Sequence, residues 1–203
     1  MKRILLCLPL IWSAVVYSQN LDIRLLRLIN SPHTLKADGY CRFMSNSDAY
    51  VVLGIPAGMA AAGFIRDDKE LVRNACVTLA AVAINQGITS ALKYSINRDR
   101  PFVTYTDITK KSDGGSPSFP SGHTSSAFAS ATSVSLAYPK WYVIAPSFIW
   151  AGTVGFSRME LGVHYPSDVL AGAVIGAGSA FLTYKINQKL HPKKKIPPCN
   201  CPK

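Results

Sequence analysis

The chain has 203 residues, with 22 lysines and arginines against 11 aspartates and glutamates, a formal net charge of +11. Yet only 16% of the residues are charged and 48% are hydrophobic. A nucleic-acid-binding protein with this net charge would carry charged and polar residues over its whole surface, and a disordered basic tail would lack the hydrophobic fraction. The composition therefore leaves a soluble globular enzyme or a small polytopic membrane protein, with no nucleic-acid partner.

The N-terminal segment is the first predicted element. Lys2 and Arg3 precede an apolar run over residues 4–16, and the small Ser18 follows. This pattern predicts either a signal peptide over residues 1–18 or a retained first transmembrane helix. In both cases the chain after about residue 20 begins on the outer side of the membrane.

A short helix is predicted next, within residues 20–48. Leu21, Leu25, Leu28 and Ile29 share one of its faces. Such a helix either lies in the membrane interface or packs against the rest of the protein.

Five further charge-free stretches follow along the chain. They cover residues 49–65, 74–92, 114–139, 141–157 and 169–184. A membrane-spanning helix needs about 20 mostly apolar residues, and glycines and prolines at the start of the third stretch confine its regular helix to about 124–138. We therefore predict an all-α polytopic membrane bundle of about five to six helices, forming a single domain over 19–203. The alternative is a soluble all-α protein in which the same stretches are buried helices.

Alternating crossings fix a predicted orientation. They place residues 93–123 and 157–168 outside and the C-terminus inside. The last 19 residues, 185–203, hold six lysines and no acid, which favours a cytoplasmic tail. The prediction is a multi-pass protein of the inner membrane whose polar outer loops face the periplasm.

The five cysteines predict neither a disulfide nor a metal site. Only Cys41 lies outside in this topology, so no partner is available for a structural disulfide. Cys199 and Cys201 alone are too few ligands for zinc.

Charged and histidine residues gather in three clusters that the topology brings to the outer face. The clusters run from Lys93 to Pro101, from Pro120 to His123, and from Ser157 to Asp168. Ionisable groups at membrane depth are costly, so their clustering indicates a functional site.

Three cations in these clusters, Lys93, Arg100 and Arg158, have no obvious carboxylate partners in the sequence, which predicts an anionic ligand. Ser121 and Gly122 begin a helix, where free backbone N–H groups favour the same anion. Gly122 also lets the backbone approach that anion closely.

The histidines add a reaction to this anion site. His164 and Asp168 are four residues apart, and Pro166 suits the first turn of the helix that begins between them. A carboxylate in that turn can fix the tautomer of His164 and make its other nitrogen a nucleophile. His123 is then available to protonate a leaving oxygen.

The three clusters read K-x6-R-P, P-S-G-H and S-R-x5-H-x3-D, and in this respect the chain resembles the type 2 phosphatidic acid phosphatase (PAP2) family. The resemblance implies a phosphatase that needs no metal or other cofactor and forms a phosphohistidine. It implies the following roles: His164 as nucleophile, Asp168 as its orienting carboxylate, His123 as acid, and Lys93, Arg100, Arg158 and the backbone of Ser121 and Gly122 as phosphate-binding groups.

Membrane lipid phosphates are the expected substrates. The candidates are undecaprenyl diphosphate, phosphatidylglycerophosphate, phosphatidic acid and the phosphates of lipid A. A soluble exported acid phosphatase with the same site is the main alternative, whereas a haloperoxidase or a non-catalytic lipid-binding protein is disfavoured. Lys110 and Lys111 in the loop 102–119 either contact a second phosphate or acidic headgroup or face water.

Overall fold

The computed structural model describes residues 21–30 and 37–192. The predicted N-terminal segment 1–18 and the tail beyond residue 192 lie outside these residues. The described part is all-helical and contains no strand. Its helices are α1 (21–29), α2 (Asp38–Ile65), α3 (Lys69–Ile96), α4 (Pro101–Thr104), α5 (Gly122–Ala137), α6 (Trp141–Glu160) and α7 (Pro166–Leu190). The predicted all-α class is confirmed, and α7 begins at Pro166 as expected.

The long helices run up and down, so the connections alternate between two ends of the bundle. Residues 97–121 and 161–165 connect helices at one end, which we call the cleft end. Residues 66–68 and 138–140 connect helices at the opposite end. The three polar clusters therefore lie together at the cleft end.

Three segments of the described chain are long and apolar enough to cross a membrane: α2, residues 69–104 and α7. They contain three of the predicted spans. The helix α5 is shorter, at 16 residues, or about 24 Å. It packs against α2, α3, α6 and α7, and its buried residues are serine, threonine and alanine. A helix surrounded by protein needs less hydropathy than one facing lipid, which explains its composition.

Close contact between α5 and α7 fixes the geometry of the cleft end. A Cβ at Gly172 would lie 2.7 Å from the carbonyl oxygen of Ser121, and one at Gly176 would lie 2.1 Å from that of Ser125. Glycines four residues apart thus let the two backbones touch. This contact brings the first turn of α7 against the first turn of α5.

We expect Gly176→Ala to destabilise the protein, because its methyl group would overlap the backbone of α5. Overpacking of this kind reduces stability by about 1–3 kcal/mol. Gly178→Ala is the matched control, since no atom lies within 4 Å of its Cβ position. Thermal unfolding of both variants in detergent measures the difference, and equal melting temperatures would contradict the packing described here.

The short helix α1 packs against the cleft end, but not through the predicted face. Ile23 and Leu26 are buried with Ile108 and Tyr165, whereas Leu21 and Leu28 are 58% and 76% exposed. Packing is thus the observed role, and the leucine face predicted from the sequence is the exposed one. The sequence periodicity did not identify the buried face because that face also contains the polar Asp22 and Asn30.

The helix α2 begins 11 residues before the charge-free stretch 49–65. Its 28 residues correspond to about 42 Å, more than the hydrocarbon thickness of about 30 Å. The additional turns carry the buried Cys41, Ser45 and Asp48 alongside the polar clusters. The cleft end therefore includes a part of α2 that was not predicted to belong to the site.

Candidate active site

The three polar clusters converge on one cleft of about 380 Å³ at the start of α5. Helices α2, α3, α5 and α6 and both connections of the cleft end contribute to its wall. The lining residues are Asp48, Gln86, Lys93, Arg100, Asp113, Gly114, Gly115, Ser116, Gly122, His123, Ser126, Arg158 and His164. Six of the eight predicted site residues are among them, and the other two, Ser121 and Asp168, are fully buried behind the wall.

The three predicted cations are held by neutral acceptors. Lys93 Nζ donates to the carbonyl of Pro117 at 2.6 Å. Arg100 donates to the carbonyls of Ser116 at 2.8 Å and Val163 at 3.0 Å. These carbonyls orient the two side chains without cancelling their charge, as an anion-binding site requires.

Arg158 is the most buried of the three cations, at 3% exposure. Its Nη1 donates to the hydroxyl of Ser45 on α2 at 2.6 Å, and its Nε has no partner among the described residues. A buried guanidinium with an unused N–H retains the ability to bind an anion in the cleft.

The first turn of α5 supplies backbone donors to the cleft. A Cβ at Gly122 would lie 3.9 Å from Lys93 Cε, so this position faces the cleft and a side chain there would occupy it. The N–H groups of the first helical turn have no intrahelical acceptor. Gly122 and His123 are thus placed to donate to an anion beside Lys93.

Ser121 differs from its prediction. Its N–H donates to the carbonyl of Asp168 at 3.0 Å, its hydroxyl is 2.8 Å from that of Thr124, and it is fully buried. Its backbone N–H is therefore occupied by α7 and is not available to a phosphate. The sequence motif could not show this, because the acceptor is 47 residues away.

His164 lies in the connection between α6 and α7 and is 1% exposed. Its Nδ1 is 3.6 Å from Asp168 Oδ2, which is longer than a hydrogen bond. The two residues predicted to act as a pair therefore lie close together but are not hydrogen-bonded. Burial is the main cause that lowers the pKa of His164 to about 3. The positive charges of Arg158 and Arg100 lower this pKa further, whereas Asp168 raises it. The free imidazole is neutral at pH 7, as a nitrogen nucleophile must be.

Asp168 is held by three donors. Its Oδ1 accepts from Arg98 Nη1 at 2.7 Å. Its Oδ2 accepts from the backbone N–H of Tyr165 at 2.9 Å and from the Ser118 hydroxyl. A carboxylate fixed by so many donors stays ionised and oriented, which makes it a rigid partner for His164.

Arg98 links this carboxylate to α1. It donates to Asp22 at 2.8 Å and lies 3.9 Å above the ring of Tyr165. Asp22 in turn accepts from the backbone of Ser167 at 2.8 Å. Neither residue was predicted to belong to the site, because Arg98 occupies an unspecified position of K-x6-R-P and Asp22 lies outside the three clusters.

Asp48 is a third site residue that was not predicted from the sequence. It is 8% exposed, lines the cleft, and accepts from the Ser126 hydroxyl at 2.7 Å. Its Oδ1 has no partner among the described residues. The spacing of Cys41, Ser45 and Asp48 on one face of α2 was the available signal.

The two loop lysines behave differently from each other. Lys111 is buried and donates to Asp38 at 2.8 Å and Glu160 at 2.6 Å. Burial lowers its pKa, but the two carboxylates outweigh this effect and raise the pKa above its usual value. Lys111 therefore neither faces water nor is free for a headgroup, whereas Lys110 is exposed, with its ammonium 5.0 Å from the ring centroid of Phe102.

Within residues 21–30 and 37–192, no group of three His, Cys, Asp or Glu side chains is placed to hold a metal ion.

Comparison with known proteins identifies the family to which the chain belongs. Residues 74–192, more than half of the chain, match the model of the PAP2 superfamily. The chain belongs to this family. The matched segment contains all three polar clusters, so the family resemblance predicted from them is confirmed.

Relatives of this PAP2 protein support its assignment as a phosphoric ester hydrolase. It is 34% identical to an undecaprenyl-diphosphatase of Sulfolobus acidocaldarius, covering 86% of this chain and 82% of that protein. It is also 34% identical to a lipid A 4'-phosphatase of Bacteroides thetaiotaomicron over 94 residues, which are 46% of this chain and 42% of that protein. This second match thus spans less than half of either protein.

A solved structure supports the membrane bundle. The fold is similar to the crystal structure of a transmembrane PAP2-type phosphatidylglycerolphosphate phosphatase from Bacillus subtilis, with a TM-score of 0.71, 24% identity, and 90% of each chain covered. Together with the apolar helices, this fold makes the protein a multi-pass membrane protein.

Proposed function

We propose that this PAP2 protein is a lipid phosphatase that removes a terminal phosphate from a membrane lipid through a phosphohistidine on His164. One observation carries the proposal: Lys93, Arg100 and Arg158 surround a single cleft that also contains His123 and His164. Cations alone would bind an anion, but two histidines in the same cleft, one with a buried carboxylate behind it, supply a nucleophile and an acid.

The proposed reaction begins with phosphate binding. The three cations and the N–H groups of Gly122 and His123 hold the phosphoryl oxygens, where they stabilise the charge of the transition state. Because Nδ1 of His164 faces Asp168, Nε2 is the nitrogen that attacks phosphorus. The bond to the leaving oxygen breaks as His123, protonated once the anionic substrate is bound, donates its proton to that oxygen.

Hydrolysis of the intermediate reverses these roles. Neutral His123 takes a proton from water, and the water oxygen bonds to phosphorus. The phosphorus–nitrogen bond breaks and returns its electron pair to His164. Asp168 stabilises the positive imidazole while the phosphoryl group is attached, and no metal or other cofactor takes part in this scheme.

An apolar groove supports a lipid as the substrate. A cavity of about 400 Å³ lies between α5, α6 and α7 and is lined by apolar side chains, among them Phe128, Phe156 and Leu170, and by Pro166 beside His164. Such an apolar groove fits an acyl or prenyl chain. A soluble acid phosphatase would not need it, and the membrane fold also disfavours that alternative.

The substrate class is tested with purified protein in detergent micelles. Phosphate release from undecaprenyl diphosphate, phosphatidylglycerophosphate, phosphatidic acid and lipid A is measured, with and without a metal chelator. We expect chelator-resistant release from at least one of these lipids. Release from none of them, by protein that remains folded, would refute the proposed function.

We further propose that the cleft faces the periplasm from the inner membrane. The lysine-rich tail supports this orientation, because cytoplasmic segments carry an excess of lysine and arginine. A C-terminal fusion to a fluorescent protein is expected to fluoresce, whereas a fusion to periplasmic alkaline phosphatase is expected to be inactive. The reverse pattern would place the cleft in the cytoplasm. Retention in membranes after an alkaline wash tests the membrane location itself.

Gly122→Ala is expected to weaken substrate binding without unfolding the protein. The methyl group would enter the cleft beside Lys93 and displace a bound phosphate from the N–H groups of α5. We expect KM to rise by about tenfold, equivalent to about 1.4 kcal/mol. Gly87→Ala on α3, whose Cβ position has no atom within 4 Å, is the control. An unchanged KM would show that phosphate binds elsewhere.

A further inference from the structure

A second polar cavity lies beside the catalytic cleft. It has a volume of about 370 Å³ between the first turns of α2 and the loop at 110–113. Its wall consists of Arg42, Asn46, Lys110, Lys111, Ser112 and Asp113. No apolar side chain lines it, so it is suited to a polar group rather than to a lipid chain.

The two cavities are neighbours along the same loop. Asp113 lines both of them, and the next three residues, 114–116, continue into the wall of the catalytic cleft. A Cβ at Gly114 would lie 2.6 Å from Arg100 Nη1, which shows how closely this loop covers the phosphate-binding arginine. A group bound in the second cavity would therefore be adjacent to the scissile phosphate.

The wall of the second cavity has an excess of positive charge. It holds three cations and the single carboxylate of Asp113. Lys111 is engaged by Asp38 and Glu160, but Arg42 and Lys110 are exposed and form no salt bridge within the described residues. Two cations without salt-bridge partners next to a phosphate site favour a second anion.

The loop is held in place from behind. The N–H of Lys111 donates to the carbonyl of Leu161 at 3.0 Å. Asn30, the residue after α1, bonds both backbone groups of Thr109 at 2.9 and 3.0 Å. Lys110 is therefore presented from a fixed backbone rather than from a free loop. Fixing the loop before the ligand arrives reduces the entropy lost on binding.

We infer that Arg42 and Lys110 form a subsite for a second phosphate group next to the one that is hydrolysed. This inference rests on the proposed phosphatase function. The subsite makes the enzyme prefer substrates with two phosphates. The second phosphate belongs either to a diphosphate or to a phosphodiester headgroup.

Farnesyl diphosphate and farnesyl monophosphate test the subsite, because they share one lipid chain and differ only in the second phosphate. We expect Arg42→Gln and Lys110→Gln each to lower the ratio of kcat/KM for diphosphate over monophosphate by about tenfold. Arg24→Gln on the exposed side of α1 is the control and is expected to keep the ratio. Thermal unfolding checks that each variant is folded.

A ratio unchanged in both variants would overturn the subsite, and so would an equal loss on both substrates. Wild-type protein that hydrolyses none of the lipids offered would instead refute the proposed function, so the two failures are distinguishable. Phosphatidylglycerophosphate serves as a third substrate. A similar loss of kcat/KM on this lipid assigns the subsite to phosphate groups in general. A loss of kcat/KM confined to farnesyl diphosphate assigns the subsite to the terminal diphosphate.

Discussion

Replacing His164 with alanine is expected to abolish phosphate release, with kcat reduced by at least about 10⁴-fold. The imidazole is the only protein group in the proposed scheme that bonds to phosphorus, and removal of a covalent nucleophile has effects of this size. The side chain is buried in the wall of the cleft, so the variant also leaves a small cavity. Phosphate release is therefore measured on protein whose melting temperature has been checked.

The control for His164→Ala is His191→Ala. His191 follows α7 at the opposite end of the bundle and is expected to be dispensable for hydrolysis. Substrate binding separates the two possible causes of lost activity, since the cations remain in His164→Ala and the lipid should still bind. A His164→Ala enzyme with activity within tenfold of wild type would contradict the assignment of the nucleophile.

Asp168→Asn is expected to lower kcat by about 10²–10⁴-fold with little change in KM. The asparagine is isosteric but removes the negative charge beside His164, and loss of the orienting carboxylate in other catalytic triads has effects of this order. The substitution also replaces one acceptor oxygen with an amide N–H₂ group, which only donates. Arg98, Tyr165 and Ser118 then have one acceptor fewer for their hydrogen bonds. Steady-state kinetics on one lipid substrate measure the effect.

Asp99→Asn is the matched control for this substitution. Asp99 lies in the first polar cluster next to Arg98, but it is exposed and forms no salt bridge within the described residues. Removing this charge is expected to leave kcat within twofold of wild type. If Asp168→Asn raised KM instead of lowering kcat, Asp168 would position the substrate rather than the nucleophile.

Six residues of the cleft wall could be predicted from the sequence because local motifs specify them. Lys93, Arg100 and Arg158 could be selected as unpartnered charges in an apolar chain, and the four-residue spacing of His164 and Asp168 predicted their proximity. The structure brings the pair within 3.6 Å. What the spacing could not predict is that Asp168 accepts three other hydrogen bonds.

The partners of these motif residues could not be predicted in the same way. Arg98 reaches Asp22 across 76 positions, and Ser45 reaches Arg158 across 113. Such contacts depend on how α1 and α2 pack at the cleft end, which periodicity does not encode. Lys111 shows the same limit, because its burial depends on Asp38 and Glu160 from two other elements.

The helices were predictable in class and order but not in length. Charge-free stretches located the five long helices of the described residues, because a helix facing lipid excludes charge. They underestimated α2, whose first three turns carry polar residues into the site. They also gave no reason to place α5 at the centre, which follows from the close approach of α7 at Gly172 and Gly176.

The most direct test of the proposed mechanism is chemical trapping of the intermediate. Wild-type protein is mixed with a substrate labelled with ³²P in the phosphate to be released, and is quenched with alkaline detergent within milliseconds. We predict labelled protein whose label is stable in base, is lost in acid, and maps to the peptide containing His164. The same experiment on His164→Ala should give none. Efficient hydrolysis by wild type with no trapped label at any quench time, or label on another residue, would contradict the phosphohistidine mechanism.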